Sequence, residues 1–498
     1  MAKSREQTEF GDFQTPPALS AAVCRKLAEL GIKPAAILEP TCGRGNLLTA
    51  AARHFSTAAQ VMGVEVNPVY AEAARDEMAG ISSASEIVVG DFFDVDWNRL
   101  LEGLSEPLLV LGNPPWVTSA ELGTINSGNL PTKSNFHARS GIDALMGKSN
   151  FDISEWMLIQ MLGWMAAREG TIAMLCKTSV ARKVLSFAWL RQLPLASASL
   201  YEIDAQEHFG AAVDACLLVL GFHDQIPTTV APVYTSLEDL QPRTTVGWRD
   251  DQLVSNVDAY ERLRHLRTPH PRAGLPWRSG VKHDCSRVME LTGTPGQWRN
   301  KLNEEADIEL EYAFPLLKSS DIARGRKTPR YWTILTQLSV RDSVEHIAAR
   351  APKTWQYLLA HADLLDARRS SIYRNLSRFS MFGIGDYTFA PWKVAISGMY
   401  KQLHFEVIGG YDGKPMIFDD TVNFVPCATQ EEANFLAELL NSEIAKEFLS
   451  SLVFWDSKRP ITVDLLKRID IRSLARELKR EFSYDWFASN NERQKQLF

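Results

Sequence analysis

Cysteine is sparse: six residues in 498 (Cys24, Cys42, Cys176, Cys216, Cys285 and Cys427), with no C-x-x-C pair. That scatter implies reduced thiols in a cytoplasm and argues against a disulfide framework and a zinc site. No apolar run reaches transmembrane length, and the start, MAKSREQTEFGDFQTPP, carries no signal-peptide core. A cytoplasmic chain with no membrane partner and no metal is the expectation. Walker A is absent, which excludes a P-loop motor. Internal repeats, heptads and low-complexity tracts are absent as well, so solenoids and coiled coils drop out. Nor is there a strong charge of either sign, since the net is −6. The halves differ, however. Residues 1–240 hold 17 Lys+Arg against 27 Asp+Glu, a net of −10; residues 241–498 hold 37 against 33, a net of +4. The second half is the better candidate for meeting phosphates, although drift in surface composition has the same signature.

What is present is a globular composition, 45% hydrophobic and 23% charged, on a chain long enough for two or three domains. In the first half, apolar runs alternate with helical patterns. Strand-like runs fall at 35–40, 60–66, 85–91, 107–113, 170–177, 199–205 and 215–222. Strand–helix alternation implies a mostly parallel sheet with helices on both faces. The last two runs are joined only by QEHFGAAVD, too short for a parallel crossover, so an antiparallel hairpin is expected there. The fold class expected is α/β, a Rossmann-like seven-stranded sheet with its last strand antiparallel, followed by an α+β domain. The expected boundaries are 1–223 for the first domain, 224–275 for a connector and 276–498 for the second. A polar Gly/Ser/Asn-rich stretch at 117–150 reads as a long loop, either folding over a nearby site or a passive insertion.

The strand ends carry the chemistry. After the first strand, LEPTCGRGNLL supplies Gly43 and Gly45 as G-x-G, where glycines permit a tight turn and close approach to a ligand. The third glycine of the dinucleotide fingerprint is missing; Leu48 stands there. Glu65 ends the second strand, placed to accept hydrogen bonds from two ribose hydroxyls. Asp91 ends the third, placed to accept from an exocyclic adenine amine, with Phe92 or Phe93 covering the ring. Taken singly, each acid is equally a strand-end turn residue or helix cap. The fourth strand ends in GNPPW, where two prolines forbid continuation. Asn113 and a carbonyl on the Pro114–Pro115 corner can accept both N–H bonds of a planar amine. That draws the nitrogen toward a tetrahedral shape and localises its lone pair, without rearrangement as positive charge develops. Trp116 is placed to stack on a base, worth ~1–3 kcal/mol. Asn-Pro by itself is also an ordinary turn dipeptide.

In this order the motifs resemble the gamma-class adenine-N6 DNA methyltransferases of bacterial restriction–modification systems. FGDFQTPPALSAAV is similar to their motif X, LEPTCGRGNLL to motif I, GVEVNP to motif II, VGDFFD to motif III and GNPPW to motif IV. NFDISEWMLIQML, GTIAMLCKTSV and YEIDAQEHFGAAVDACLLVL resemble motifs V, VI and VII–VIII, so the likeness covers about residues 10–222. The resemblance implies an S-adenosylmethionine-dependent fold and no required metal. It implies a cofactor pocket lined by Thr15, Glu39, Cys42, Gly43, Gly45, Glu65, Asp91 and Phe92. Asn113, Pro114, Pro115 and Trp116 would bind the target adenine, with Phe209 packing on the flipped base. Alternatively, Phe209 is a core aromatic.

Beyond residue 275, stretches such as FPLLKSSDIARG and FGIGDYTFAPWKVAISGMYK resemble the target-recognition domains of this class. They mix Lys/Arg with aromatics, suited to phosphate contact and stacking. Candidate phosphate contacts are Lys282, Lys318, Arg324, Arg326, Lys327, Arg374, Arg378, Lys393, Lys458 and Arg459, each alternatively a solvated surface cation. The expected partner is double-stranded DNA and the expected state a monomer with no nuclease of its own; a separate restriction or defence subunit is left open as a further partner. Rival readings are a methyltransferase on RNA adenine or protein glutamine, a catalytically silent DNA-binding subunit, and a nucleotide-binding oxidoreductase. The last is disfavoured by the missing third glycine.

Overall fold

The computed structural model describes residues 14–81, 85–117, 152–223, 226–269, 274–340, 342–373, 376–481 and 484. It divides into two units, Met1–Val257 and Asp258–Phe498. The loop expected at 117–150 lies almost wholly outside the described residues.

In the first unit, β1 (Ala36–Glu39), β2 (Gln60–Glu65), β3 (Ser85–Val89), β4 (Leu108–Gly112) and β5 (Gly170–Lys177) are parallel neighbours in the order β3-β2-β1-β4-β5. Four of the five read as near-continuous apolar runs because both faces are covered. β7 (Ala215–Phe222) runs antiparallel to both β5 and β6 (Ser197–Ile203), so the expected hairpin is present and the last strand of the seven is the reversed one.

Helices α1 (Pro17–Glu29), α2 (Asn46–His54) and α3 (Pro68–Met78) bury Leu19, Val23, Leu48, Ala51 and Ala74 in one cluster with Ile37, Leu109 and Leu111 of the sheet. Prolines at their first positions suit α1 and α3, and the Asn67 side chain accepts the Val69 N–H at 2.9 Å to cap α3. α4 (Trp97–Glu102) follows β3. Helices α5 (Ile153–Met165) and α6 (Thr178–Leu190) pack on each other and on β5. The alternate strand residues Leu38, Val110 and Leu218, fully buried or nearly so, lie outside the cluster of α1–α3. The short α7 (Ala205–Phe209) joins β6 toward β7.

The sheet does not stop at seven strands. β8 (Val230–Tyr234) pairs parallel with β6, and β9 (Thr244–Arg249) and β10 (Gln252–Val254) continue it antiparallel, making ten. Residues expected as a connector therefore carry three strands. Their brevity, and Pro232 inside VAPVY, hid the signal.

The second unit holds two small sheets. One orders β11 (Arg278–Ser279), β19 (Val422–Cys427), β16 (Trp392–Ser397) and β17 (Glu406–Ile408). The other orders β13 (Gln297–Asn300), β12 (Glu290–Thr294), β15 (Tyr331–Ile334), β14 (Ala313–Leu317) and β18 (Ile417–Phe418). Among the described residues, no helix is long and apolar enough to cross a membrane.

Lys393 on β16 corrects the list of candidate phosphate contacts. It is 1% exposed, its ammonium donates to Ala390 O at 2.8 Å and Met416 O at 2.9 Å, and it lies 5.9 Å from the ring centres of Phe418 and Phe424. A strand's inward position, which a Lys/Arg count cannot distinguish from an outward one, decided this. Burial pushes its pKa down to about 7. A depressed lysine pKa means that the unfolded chain binds the proton more tightly between about 7 and the ordinary lysine range. Stability of the second unit is therefore greatest above that range and falls as the pH drops toward 7. Lys393→Met should flatten this slope, closing a difference on the order of a few kcal/mol between pH 7 and pH 10.5, measured by chemical denaturation at both pH values.

Candidate active site

Parallel pairing sets the ends of β1, β2, β3 and β4 along one edge of the sheet, and the chain after each end turns into one cavity. Its empty volume is about 1010 Å³, open mouth included. The walls include Thr15, Glu39, Cys42 and Gly43 from before and after β1, Glu65 ending β2, Asp91 and Phe92 after β3, and Asn113 and Pro115 after β4. Nine of the twelve cofactor and corner residues expected from sequence thus meet in one place.

Glu65 is held by backbone. Its Oε2 accepts the Gly43 N–H at 2.9 Å and its Oε1 the Asn67 N–H at 2.8 Å. The first bond requires the turn after β1 to bend sharply, and Gly43 does so at φ +54. Asp91 Oδ1 accepts the Phe93 N–H at 2.8 Å. Phe92 is 5% exposed and packs 5.1 Å from Trp97 and 5.6 Å from Trp164, centre to centre, while the Trp97 indole donates to Phe92 O at 2.7 Å. The floor under a flat ligand is therefore rigid. Thr15 O accepts the Asn46 amide at 3.0 Å, tying the segment before α1 to the start of α2.

Glu39 is the strained member. It is 3% exposed, and its Oε2 is buried without a hydrogen-bond partner. Burial, and more weakly the neighbouring Glu65, raises its pKa well above the carboxylate range, although a backbone N–H opposes the shift. An orphaned buried carboxylate oxygen on a cavity wall fits a ligand carrying an ammonium or another donor. Burial also pushes the Cys42 thiol up, so Cys42 is a wall and not a nucleophile.

Three expected residues do not line the cavity. Gly45 (φ +85) sits at the N-cap of α2, where an added Cβ would meet Ala74 Cβ at 3.1 Å; its role is the turn and helix packing. Pro114 shapes the corner without facing in. Trp116 is 3% exposed and belongs to the hydrophobic core. Its indole N–H donates to Leu175 O at 3.3 Å, and its ring packs edge-on against Phe209, 5.1 Å between centres. Phe209 is itself partly buried against that core. The two aromatic surfaces pack on each other, so Trp116 does not present the stacking face to the cavity that the sequence led us to expect.

Sequence reasoning missed Gln14, Asn46, Asn67 and Tyr70 on the cavity wall, and Ile153 and Met157 from α5. Asn46, directly after the G-x-G, was the legible one. The others arrive from separate elements with no local pattern.

The second-unit cations are mostly paired. Lys318, half-buried, pairs with Glu290, which also takes Lys301 at 2.6 Å and His283 at 3.5 Å. Burial works against that carboxylate, yet these partners hold it at about 2. Lys282 pairs with Asp284, Arg326 with Asp321, Lys327 with Glu406, Arg378 with Asp366 and Arg459 with Asp420. Arg324, Arg326, Lys327 and Arg330 are exposed on one loop, and Lys458 is exposed on another. Arg374 lies outside the described residues.

Residues 1–183 match the family model described as N-6 DNA Methylase. The Type II methyltransferase M.NspV of Nostoc sp. (strain ATCC 29411 / PCC 7524) is 43% identical over 475 residues, spanning 95% of this chain and 98% of its own. The Type II methyltransferase M.CvrRI of Paramecium bursaria Chlorella virus XZ-6E is 33% identical over 114 residues, 23% of this chain and 26% of its own. Among solved structures, the Type IIL restriction-modification enzyme MmeI in complex with DNA matches with a TM-score of 0.53 at 14% identity. That match covers 92% of this chain, which spans 64% of the MmeI chain; it speaks for the fold alone.

Glu39 yields a prediction without any ligand. Its raised folded pKa contributes stability that is fully present below the ordinary carboxylate range and is lost as the pH rises through the folded value. Glu39→Gln should therefore raise the melting temperature of the ligand-free protein at pH 8 by roughly 2–8 °C. The gain should shrink toward zero at pH 4, as read by differential scanning calorimetry.

Proposed function

The chain belongs to the type II DNA methyltransferases, and from that premise we propose that it methylates N6 of an adenine flipped out of duplex DNA, using S-adenosylmethionine. The observation that carries the reading is the single cavity in which the ends of β1, β2 and β3 meet the Asn113–Pro115 corner. The ligand-binding residues and the amine-accepting corner share one enclosure, as a direct transfer requires.

When bound, S-adenosylmethionine supplies an electrophilic methyl group on a positively charged sulfur. Glu65, held in place by the Gly43 and Asn67 N–H groups, takes the ribose hydroxyls. Asp91 accepts from the cofactor's adenine amine, and Phe92 covers that ring. Thr15, Cys42 and Gly43 complete the wall. Glu39 gives its orphaned oxygen to the ammonium end, which stabilises the ionised carboxylate that burial disfavours.

Asn113 Oδ1 and a carbonyl of the Pro114–Pro115 corner accept the two N–H bonds of the target amine. They hold the nitrogen lone pair toward the methyl group and stabilise the positive charge that develops there. No nucleophile on the protein is needed. Stacking by Trp116 requires its ring to part from Phe209, and the opened gap between those two aromatics is where the flipped base goes. Flipping costs a few kcal/mol, which stacking and the Asn113 bonds help offset.

The first unit is read as catalytic and the second as the DNA-binding reader. Of the cations singled out from sequence, Arg324, Arg326 and Lys327 are the best placed for phosphates, being exposed together on one loop. Lys318 is better read as a structural partner of Glu290.

The test is transfer of a labelled methyl group from S-adenosylmethionine to DNA, RNA and protein, followed by digestion to identify the methylated base. N6-methyladenine in DNA is the expected product. Asn113→Ala should cut the rate by about 10²–10³ while leaving cofactor affinity within about threefold. Undiminished transfer in that variant refutes the amine-accepting role, and label in RNA or protein glutamine selects a rival reading. Arg324→Ala and Lys327→Ala should each lower the slope of log K against log salt by about 1 and weaken binding evenly across DNA sequences, as measured by fluorescence anisotropy.

A further inference from the structure

Two prolines leave the Asn113–Trp116 corner short of backbone donors, because neither Pro114 nor Pro115 has an N–H. The corner's carbonyls must therefore be gripped from outside if it is to stay rigid. The grip comes from β5. Lys177, its last residue, donates from Nζ to Trp116 O at 3.0 Å. Two residues earlier, Leu175 O accepts the Trp116 indole N–H at 3.3 Å. One residue of the corner is thus fastened to one strand at both its main chain and its side chain.

The ammonium does not act alone. Lys177 Nζ also contacts Asp152 Oδ2 at 2.6 Å, and the other oxygen of Asp152 accepts the Ser154 N–H at 3.2 Å and its hydroxyl at 2.5 Å. The Lys177 side chain is 19% exposed and that of Asp152 is 8% exposed. Directly after Asp152, the Ile153 N–H donates to Val117 O at 3.0 Å. Two adjacent carbonyls are thus held, that of Trp116 by Lys177 and that of Val117 by the Ile153 N–H, with Asp152 joining the two holds. Ile153 itself lines the cavity.

We propose that Lys177 and Asp152 act as a charge-balanced clasp that positions the Asn113–Trp116 corner for transfer, neither of them touching the reacting atoms. This rests on the reading of that corner as the amine acceptor. Each partner has a separate task. Lys177 supplies the donor that the prolines lack. Asp152 cancels its charge, because an unbalanced ammonium close to an amine that becomes cationic raises the barrier to transfer. The clasp predicts an order among variants in the transfer rate at nearly unchanged cofactor and DNA affinity, which a merely structural salt bridge does not. Removing only the acid leaves the cation unbalanced at the Trp116 end of the corner. Removing both partners loses the grip but not the balance.

The experiment measures single-turnover methylation of duplex DNA, with S-adenosylmethionine and DNA affinities determined separately by calorimetry and anisotropy. Lys177→Met is expected to lower the transfer rate about 10–100-fold, the order produced by slight misplacement of a catalytic group, with both affinities within about threefold of the parent. Lys177→Arg, which keeps the charge and a donor, should recover a substantial part of the rate. Asp152→Asn should be slower than the double variant Lys177→Met/Asp152→Asn, and the double no slower than Lys177→Met. The double variant also covers the case in which Lys177→Met fails to fold with Asp152 left buried and unpaired. A parental rate in Lys177→Met or in the double variant overturns the clasp. Losses that simply multiply in the double variant overturn it too, as does a rate loss matched by equal losses of both affinities. Label on an acceptor other than adenine N6 in the parent protein refutes the function reading instead, and the same variant series on that acceptor still judges the clasp.

Discussion

The parallel register of β1 with its two neighbours is the constraint on which the site depends. Ile37 pairs with Val61 on one side and with Leu109 on the other, so three strands advance in step and finish together. Parallel strands cannot be joined by tight turns. Each must end, hand over to a helix or loop on a face of the sheet, and return. Every strand end therefore begins a connecting segment, and these segments crowd one edge. Glu39, Glu65, Asp91 and Asn113 converge because the parallel ladder brings each strand's carboxyl end to the same edge within a few residues, although Asn113 follows Glu39 by 74 positions. A one-residue slip of any strand would reverse its facing pattern and send an apolar side chain into the cavity.

The cavity is then assembled from groups that differ in how fully the protein satisfies them. Glu65 meets two backbone N–H donors and is preorganised before any ligand arrives. Glu39 has an oxygen with no partner and resists ionisation. The Pro-Pro corner has no N–H at either proline; it takes a donor from Lys177 of β5 and gives the Trp116 indole N–H to Leu175 O of the same strand. The incomplete group faces the ligand space, whereas the complete ones shape it. That division is expected where stability is given up locally for binding. Phe209 and Trp116 touch as part of the hydrophobic core, where apolar ring surface packs on apolar ring surface.

Much of the first unit was legible because its signals are local. All seven strand runs are strands, each within two residues of the expected bounds, since long apolar runs between glycine- and proline-marked turns leave few alternatives. The G-x-G turn, the acids at strand ends and the Asn-Pro-Pro corner are properties of single loops, and they meet as expected. The illegible parts are set by tertiary contact. β8 is short and joins the sheet through β6, whose Leu200 pairs with Val233, while β9 and β10 are short strands that reach the sheet only through β8. The inward rotation of Trp116 depends on Phe209, 93 residues away. Lys393 looked like a surface cation in a basic, aromatic stretch, yet β16 is buried on both faces and holds it beside two phenylalanines. The clasp of Lys177 with Asp152 left no spacing signature, because its members end one strand and precede one helix.

The second unit shows how little a count of basic residues says about an anionic partner. Lys282, Lys318, Arg326, Lys327, Arg378 and Arg459 each have a carboxylate within ion-pair distance. A phosphate approaching any of them must compete with that carboxylate. Where the acid is buried, as Glu290 and Asp321 are, the pair cannot open without stranding a charge in the interior. Lys318 is therefore committed to Glu290. Arg326 and Arg330 share the single carboxylate of Asp321, so that acid stays neutralised if one of the two guanidinium groups turns outward. Lys327 is itself exposed and meets the partly buried Glu406 only at 3.7 Å, a loose contact. A mild net charge is compatible with tight contact only when it is arranged in this way, with a few cations held loosely at the surface and the rest locked into the fold. On that physical ground, the loop of residues 324–330 is set apart from the other cations of the unit.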